Sequence, residues 1–413
     1  MVKSVPGIIR HIAVVGISAP PKAGAESIQC AKWIKAYHEM GMEITLITTP
    51  VSERGWSAAD PQLNKFQQYL NQLIIKKDNR ESVLNKVGNR LFPAWFNFPD
   101  SHFMFASSPR KVLIELREKP DLIYARGMPF SSALLAKSLS KRLNVPLVIH
   151  MADPFSLNPY LTGLNIEKAR SLEKECFEQA SMVAFTTEKM AELYRNVFPG
   201  LADRFTVFPN VYDRDECVTD NQLPEKFTLR FTGNLYGNRT LLPLFRALSR
   251  ISDESDTFEE NVELIITGRM DSGNFKLLDK YNPGFIRLEK PLPFFDSLKV
   301  QKHAHILVST DKPATDDRDL VFLPSKLLDY MCAERIILNI SSKNSESSAF
   351  VRENLLGETF EHDDDEGLAD FIKLAYDRFL KKDNTYFTGR KIAQDYESDY
   401  AARSLINELN KRL

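Results

Sequence analysis

The chain has 413 residues, 43% of them hydrophobic and 26% charged, the make-up of an ordinary globular protein and not of a disordered or fibrous one. At roughly 100 to 200 residues per domain, two domains are the default. Its 54 Lys and Arg nearly cancel 55 Asp and Glu, so no whole-molecule field favours nucleic acid and any polyanion site must be local.

Reading along the chain, residues 11–17 form a short apolar strand, followed by a Pro/Gly loop, an amphipathic helix over 26–40, Gly41 as a stop, and a strand over 43–48. The start of the chain lacks the long apolar region of an export signal, and no stretch reaches the roughly 18 apolar residues of a membrane span. Cys30, Cys176, Cys217 and Cys332 show neither metal-ligand spacing nor a dense disulfide framework, which fits a reducing, cytoplasmic location.

Residues 61–98 read as an insertion of helical character, with Lys65, Lys76, Lys77, Arg80, Lys86 and Arg90 ahead of an aromatic run ending at Phe98. Such a segment can lie on an anionic membrane, but its interleaved acids favour packing against the first domain. Strands resume at 121–124, 146–150 and 182–186, separated by helices over 131–143 and 164–180. Their continuous apolar runs suit parallel strands covered on both faces.

A polar linker over 212–223 ends the first domain, residues 1–212. A second series of strands, at 226–232, 262–267, 285–288, 304–308 and 335–340, builds a second domain over 224–389. The last helical pattern, 390–413, either completes that domain or crosses back to the first. The expected fold class is α/β, with two Rossmann-like doubly wound domains.

The strongest local signal is Phe322-Leu-Pro-Ser-Lys-Leu-Leu-Asp-Tyr330. Pro324 suits a first helical turn and Ser325 a cap, so the helix start would aim unpaired amides at a diphosphate, with Lys326 adding a full charge. Asp329, three residues on, shares the face of Lys326 and can accept from ribose hydroxyls. Leu327, Leu328 and Met331 supply the buried face. Taken alone, a helix start with a surface Lys–Asp pair has the same pattern.

The second domain opens with Phe231-Thr-Gly-Asn-Leu-Tyr-Gly-Asn-Arg239, where Gly233 lets a ligand approach the backbone and Arg239 can grip phosphate oxygens with its fork. A glycine turn with a surface arginine is the simpler alternative. In the first domain, the loop over 18–26 lacks G-x-G-x-x-G, which argues against a dinucleotide cofactor. There Gly24, Glu26 and Ser27 open a helix, while Arg126 and Asp153 lie at strand ends, where ligands of open α/β sheets gather. A structural turn aspartate before Pro154 is the alternative for Asp153. His11, His102, His150, His303 and His305 form no metal-ligand spacing, so no metal is expected.

Three segments carry a family likeness: Thr232-Gly-Asn-Leu-Tyr-Gly-Asn-Arg239, Ile265-Ile-Thr-Gly268, and Pro324-Ser-Lys-Leu-Leu-Asp-Tyr330. Weaker ones are Ala152-Asp-Pro-Phe155, Phe185-Thr-Thr-Glu188 and Pro209-Asn-Val-Tyr-Asp213. With these the chain resembles, over nearly its whole length, glycosyltransferases of the GT-B fold, and is most similar to the retaining family 4. The resemblance implies two domains facing each other across a cleft and transfer from a nucleotide-sugar donor to a saccharide or lipid-linked saccharide, with no cofactor and no metal.

It further implies donor binding by Gly233, Asn234, Arg239, Gly268, Leu292, Ser325, Lys326 and Asp329. Gly24, Glu26, Ser27 and Arg126 would meet the acceptor, and Asp153, Arg239 and Lys326 would serve the chemistry. Two positions depart from the family. Of its two glutamates separated by seven residues, Asp329 matches the second but Val321 stands for the first, and Asn234 replaces a common phosphate-binding arginine. A noncatalytic transferase-like subunit and a nucleotide-sugar epimerase of the same architecture therefore stay open. A metal-dependent transferase of the other common fold would have to use Asp316-Asp317 or residues 363–365, both in very polar loops.

Overall fold

A computed structural model describes residues 9–52, 58–77, 88, 90, 98–161, 165–217, 222–255, 257–281, 284–383 and 393–413. They form two compact units, residues 1–213 with 394–413 and residues 214–393. Among the described residues each unit holds one wholly parallel sheet.

The sheet of the first unit runs β3-β2-β1-β4-β5-β6-β7. Its strands are β1 His11–Val15, β2 Glu43–Thr48, β3 Gln72–Ile75, β4 Leu122–Arg126, β5 Leu147–Met151, β6 Met182–Phe185 and β7 Phe205–Val207. β1, β4, β5 and β6 are buried along their whole length, as strands sandwiched between helix layers must be. Trp33 and Tyr37 of helix Ala25–Glu39 pack on Tyr124, and the C-terminal helix Ser398–Arg412 covers the same layer with Ala401, Ala402, Leu405 and Leu409.

The sheet of the second unit runs β10-β9-β8-β11-β12-β13. Its strands are β8 Phe227–Thr232, β9 Val262–Thr267, β10 Ile286–Glu289, β11 Ile306–Thr310, β12 Ile336–Ile340 and β13 Gly357–Phe360. Both sheets reverse their winding once, between β1 and β4 and between β8 and β11. Ligands of doubly wound sheets collect beyond the strand ends at such switch points.

Three features differ from the sequence expectation. Within the segment read as a helical insertion, Pro61–Tyr69 is a 3-10 helix started by Asp60, whose carboxylate accepts from the Gln62 amide, but Gln72–Ile75 is an edge strand parallel to β2. Lys76 of that segment is buried and donates to the Met104 carbonyl at 3.0 Å, so it faces inward. Arg80, Lys86 and residues 91–97 lie outside the described residues. Cys217 and Cys332 are disulfide-bonded across 115 residues of sequence, a pairing that cysteine spacing does not announce.

Candidate functional site

Lys326, Phe231 and Arg239 gather near the end of β8 in the second unit. Lys326, first residue of the helix Lys326–Cys332, places its Nζ 4.1 Å from the centroid of the Phe231 ring on β8. A Cβ added to Gly233 would lie 3.8 Å from that Nζ, so the loop after β8 runs directly over the ammonium group. Burial, reinforced by the positive charge of Arg239, pushes the Lys326 pKa down to about 7, and Asp311 partly offsets this. Two cations, one of them the partly buried Lys326, stand together here, and a polyanion would offset what their desolvation and mutual repulsion cost.

Arg239 sits over the ring of Tyr236, its guanidinium carbon 5.3 Å from the centroid, and Nε is buried without a hydrogen-bond partner. The loop carrying it is fastened from below by Asp271, which accepts from the Gly237 amide at 2.7 Å and from Asn274. Asn274 in turn donates to the Arg239 carbonyl at 3.3 Å. Those bonds hold the Asp271 carboxyl below its usual range, with the Asn274 amide the largest cause.

Asn234 accepts from the Arg269 amide at 3.2 Å and thus links the loops after β8 and β9. Those loops touch more closely at the glycines. Gly233 donates its amide to the Thr267 carbonyl, and a Cβ at Gly268, where φ is +154°, would fall 1.7 Å from the Gly233 carbonyl oxygen. Gly268 is therefore required by the neighbouring loop itself, whatever ligand lies above it.

The helix beginning at Lys326 differs from expectation. Ser325 occupies the cap position in helical backbone conformation (φ −59°, ψ −23°), and its side chain makes no capping bond. The Leu327 and Leu328 amides donate to the Pro324 and Ser325 carbonyls, so the helix's own first turn consumes them. In a helix of seven residues, the Lys326 charge outweighs the amides as an attractor for anions. What fixes this helix is Tyr330, whose hydroxyl accepts from the Thr232 amide at 3.0 Å and donates to the Val308 carbonyl at 3.1 Å. It ties the helix to the ends of β8 and β11, and burial pushes its pKa up to about 12.

Asp329 follows Lys326 by one turn on the same helix, and Leu292 stands 38% exposed in the segment after β10. Val321 is buried. The nearest acid before it, Asp319, is spent on its own loop, accepting from the Thr315 amide and hydroxyl and from Lys312.

In the first unit two of the acceptor-side candidates, Arg126 and Glu26, pair with each other. Arg126 is fully buried and forks onto Glu26 through two bonds of 2.7 Å, with its third nitrogen 3.1 Å from His150 Nδ1. Burial alone would lower the Arg126 pKa, but Glu26 and Tyr124 overcome that and hold it above its ordinary value. Desolvation and the Arg126 charge keep His150 well below the usual histidine range. Arg126 and Glu26 are thus paired with each other, and Ser27 is also buried. Gly24, at φ +117° with nothing near a would-be Cβ, opens this helix at the surface.

Asp153 lies in the loop after β5. That loop is rigidly held, because buried Glu173 accepts from the Ser156 amide and hydroxyl and from Tyr194, whose hydroxyl also accepts from the Phe155 amide. Burial raises the Glu173 pKa, and these bonds oppose the rise.

Residues 26–211 match the family described as glycosyl transferase 4-like domain. The whole chain is similar in fold to an Anabaena protein, Alr3699/HepE, solved in complex with UDP and glucose, at 12% identity and TM-score 0.62, covering 97% of this chain and 99% of that one. It is also similar to an α,α-trehalose-phosphate synthase (UDP-forming) from Burkholderia vietnamiensis, at 12% identity and TM-score 0.61, covering 98% and 99%. A putative UDP-N-acetylglucosamine 2-epimerase from Listeria monocytogenes aligns at 14% identity and TM-score 0.58, over 98% and 96%. Among curated proteins none matches by sequence.

The chain has the GT-B fold, and residues 26–211 are similar to the glycosyl transferase 4-like domain. Within this GT-B chain the sequence missed the supports of the site, namely Asp271, Asn274, Tyr330 and Asp311. Only Tyr330 carried a signal, as the last residue of the Pro324–Tyr330 motif. Among the described residues no group of three or more His, Cys, Asp or Glu side chains could hold a metal ion, and no helix is long and apolar enough to cross a membrane.

Proposed function

We propose that the chain transfers a glycosyl group, with retention, from a nucleotide-sugar donor to a saccharide or lipid-linked saccharide in polysaccharide or glycoconjugate synthesis. The observation that carries this is the pairing of Lys326 and Arg239 around Gly233 at the β8/β11 switch point, a preorganised cationic seat for a diphosphate. Solved proteins of the same fold that hold UDP support the donor class.

Breaking the anomeric bond develops negative charge on the departing diphosphate and positive charge on the sugar ring. Arg239 and Lys326 stabilise the first, Lys326 as the point charge and Arg239 through its fork. Asp329 accepts from the donor ribose, and Leu292 lines the nucleotide beyond β10. The leaving phosphate deprotonates the acceptor hydroxyl from the same face, so no side-chain base is required. Asp153 orients the acceptor from the loop after β5, and Gly24 opens the first helix of the same unit. A lipid-linked acceptor would bring the protein to a membrane surface.

Calorimetry with UDP-, GDP-, ADP- and dTDP-sugars, followed by a product assay with saccharide acceptors, tests this reading. Binding of one class, weakened at least tenfold by Arg239→Ala and by Asp329→Ala, is the expected result. Donor consumption without acceptor would replace transfer by epimerisation or hydrolysis.

A further inference from the structure

Asp311 is the residue directly after β11, on the strand that forms one side of the switch point. It is immobilised on several sides. Its amide donates to the Ile340 carbonyl at 2.9 Å, and its own carbonyl stands 3.0 Å from His362 Nε2. Its Oδ2 accepts from the Ser341 hydroxyl at 2.9 Å and from Ser347. These serines flank the start of the helix Glu346–Glu353, so one carboxylate oxygen has a structural duty.

The other oxygen has none. Oδ1 is buried from solvent and has no hydrogen-bond partner, although a buried carboxylate oxygen left unpaired is costly and native proteins rarely keep one. Its surroundings are those of the cationic seat, since Asp311 is one of the two charges that act on Lys326, Arg239 being the other. The anchored Oδ2 fixes the carboxylate plane, so Oδ1 keeps one direction, and a ligand would reach it by displacing the groups that now cover it.

We infer that Asp311 is a donor-specificity residue whose Oδ1 accepts a hydrogen bond from a hydroxyl of the transferred sugar of a nucleotide sugar. The inference rests on the proposed donor site. A carboxylate beside two cations suits this role because it would repel a diphosphate oxygen, and so belongs over the neutral sugar and not over the phosphates. It also discriminates strongly, since a sugar lacking the matched hydroxyl leaves a buried charge unpaired. The chain thereby has an acid for the sugar even though Val321 is apolar and Asp319 is occupied.

The test is calorimetry of Asp311→Asn and Asp311→Glu against the nucleotide sugar that binds the wild type best and against its nucleoside diphosphate. Asn keeps an oxygen for Ser341 and Ser347 while turning the free position from acceptor to donor, and thermal unfolding checks that each variant is folded. If Asn alone fails to fold, Glu decides, because it keeps the charge but displaces it by one methylene.

The expected result is a loss of about tenfold to a hundredfold for the nucleotide sugar, with nucleoside diphosphate affinity changed less than about twofold. Equal losses for both ligands, or no loss for either, would overturn the assignment of Asp311 while leaving the nucleotide site intact. A wild type that binds no nucleoside diphosphate and no nucleotide sugar would overturn both the donor site and this inference.

Discussion

If the proposed donor site holds, Lys326 makes the affinity for a nucleotide sugar depend on pH in one direction. In the unliganded protein its pKa is about 7, against an ordinary 10.5, because burial and Arg239 disfavour the ammonium form. A bound diphosphate favours that form and raises the pKa. Between about 7 and the pKa of the complex, binding therefore takes up a proton, so affinity falls as pH rises. Below about 7 the lysine is protonated in both states and affinity is flat. The slope can reach one proton, a factor of about ten in Kd per pH unit or roughly 1.4 kcal/mol. Using a nucleotide sugar as ligand avoids titration of a terminal phosphate. Calorimetry from pH 6 to 9 in buffers of differing ionisation enthalpy reads both the slope and the proton uptake. Lys326→Gln should bind more weakly at pH 6 and lose the slope. A wild-type affinity flat from pH 7 to 9, or an equal slope in Lys326→Gln, would refute the reasoning.

Other outcomes follow from the same geometry. Glu26→Ala leaves the fully buried Arg126 without its fork and should cost about 3–5 kcal/mol in chemical unfolding; a loss of acceptor binding at unchanged stability would contradict the structural role. Gly268→Ala must displace the Gly233 carbonyl and should weaken nucleotide binding at least tenfold, whereas Gly24→Ala, in open space but at φ +117°, should cost about 1–3 kcal/mol of stability through backbone strain alone. Tyr330→Phe strands the buried Thr232 amide and should destabilise by about 1–3 kcal/mol, measured by denaturant midpoint.

The inner strands were legible because parallel strands covered on both faces are unbroken apolar runs, and β2 and β9 fall where the pattern places them. β3, β7 and β13 were not. They are four, three and four residues long, and at the sheet edges their half-exposed positions give neither a long run nor a clean alternation. Lys326 and Arg239 could be singled out as candidates because each follows a strand or opens a helix, positions with a physical rule attached. Asp271 and Asp311 could not, since their partners lie 34 and 36 residues away in Gly237 and Ser347, and only the folded loops bring them together. Arg126 ends β4 as the pattern places it, but nothing in the sequence states that Glu26, a hundred residues earlier, would pair with its charge.

The most direct measurement is calorimetric titration of the wild type and Arg239→Ala with UDP-, GDP-, ADP- and dTDP-sugars at pH 7. One nucleotide class should bind the wild type, and Arg239→Ala should bind it at least tenfold more weakly. Absence of binding by every class, or equal affinity in the two proteins, would contradict a donor site built on Arg239 and Lys326.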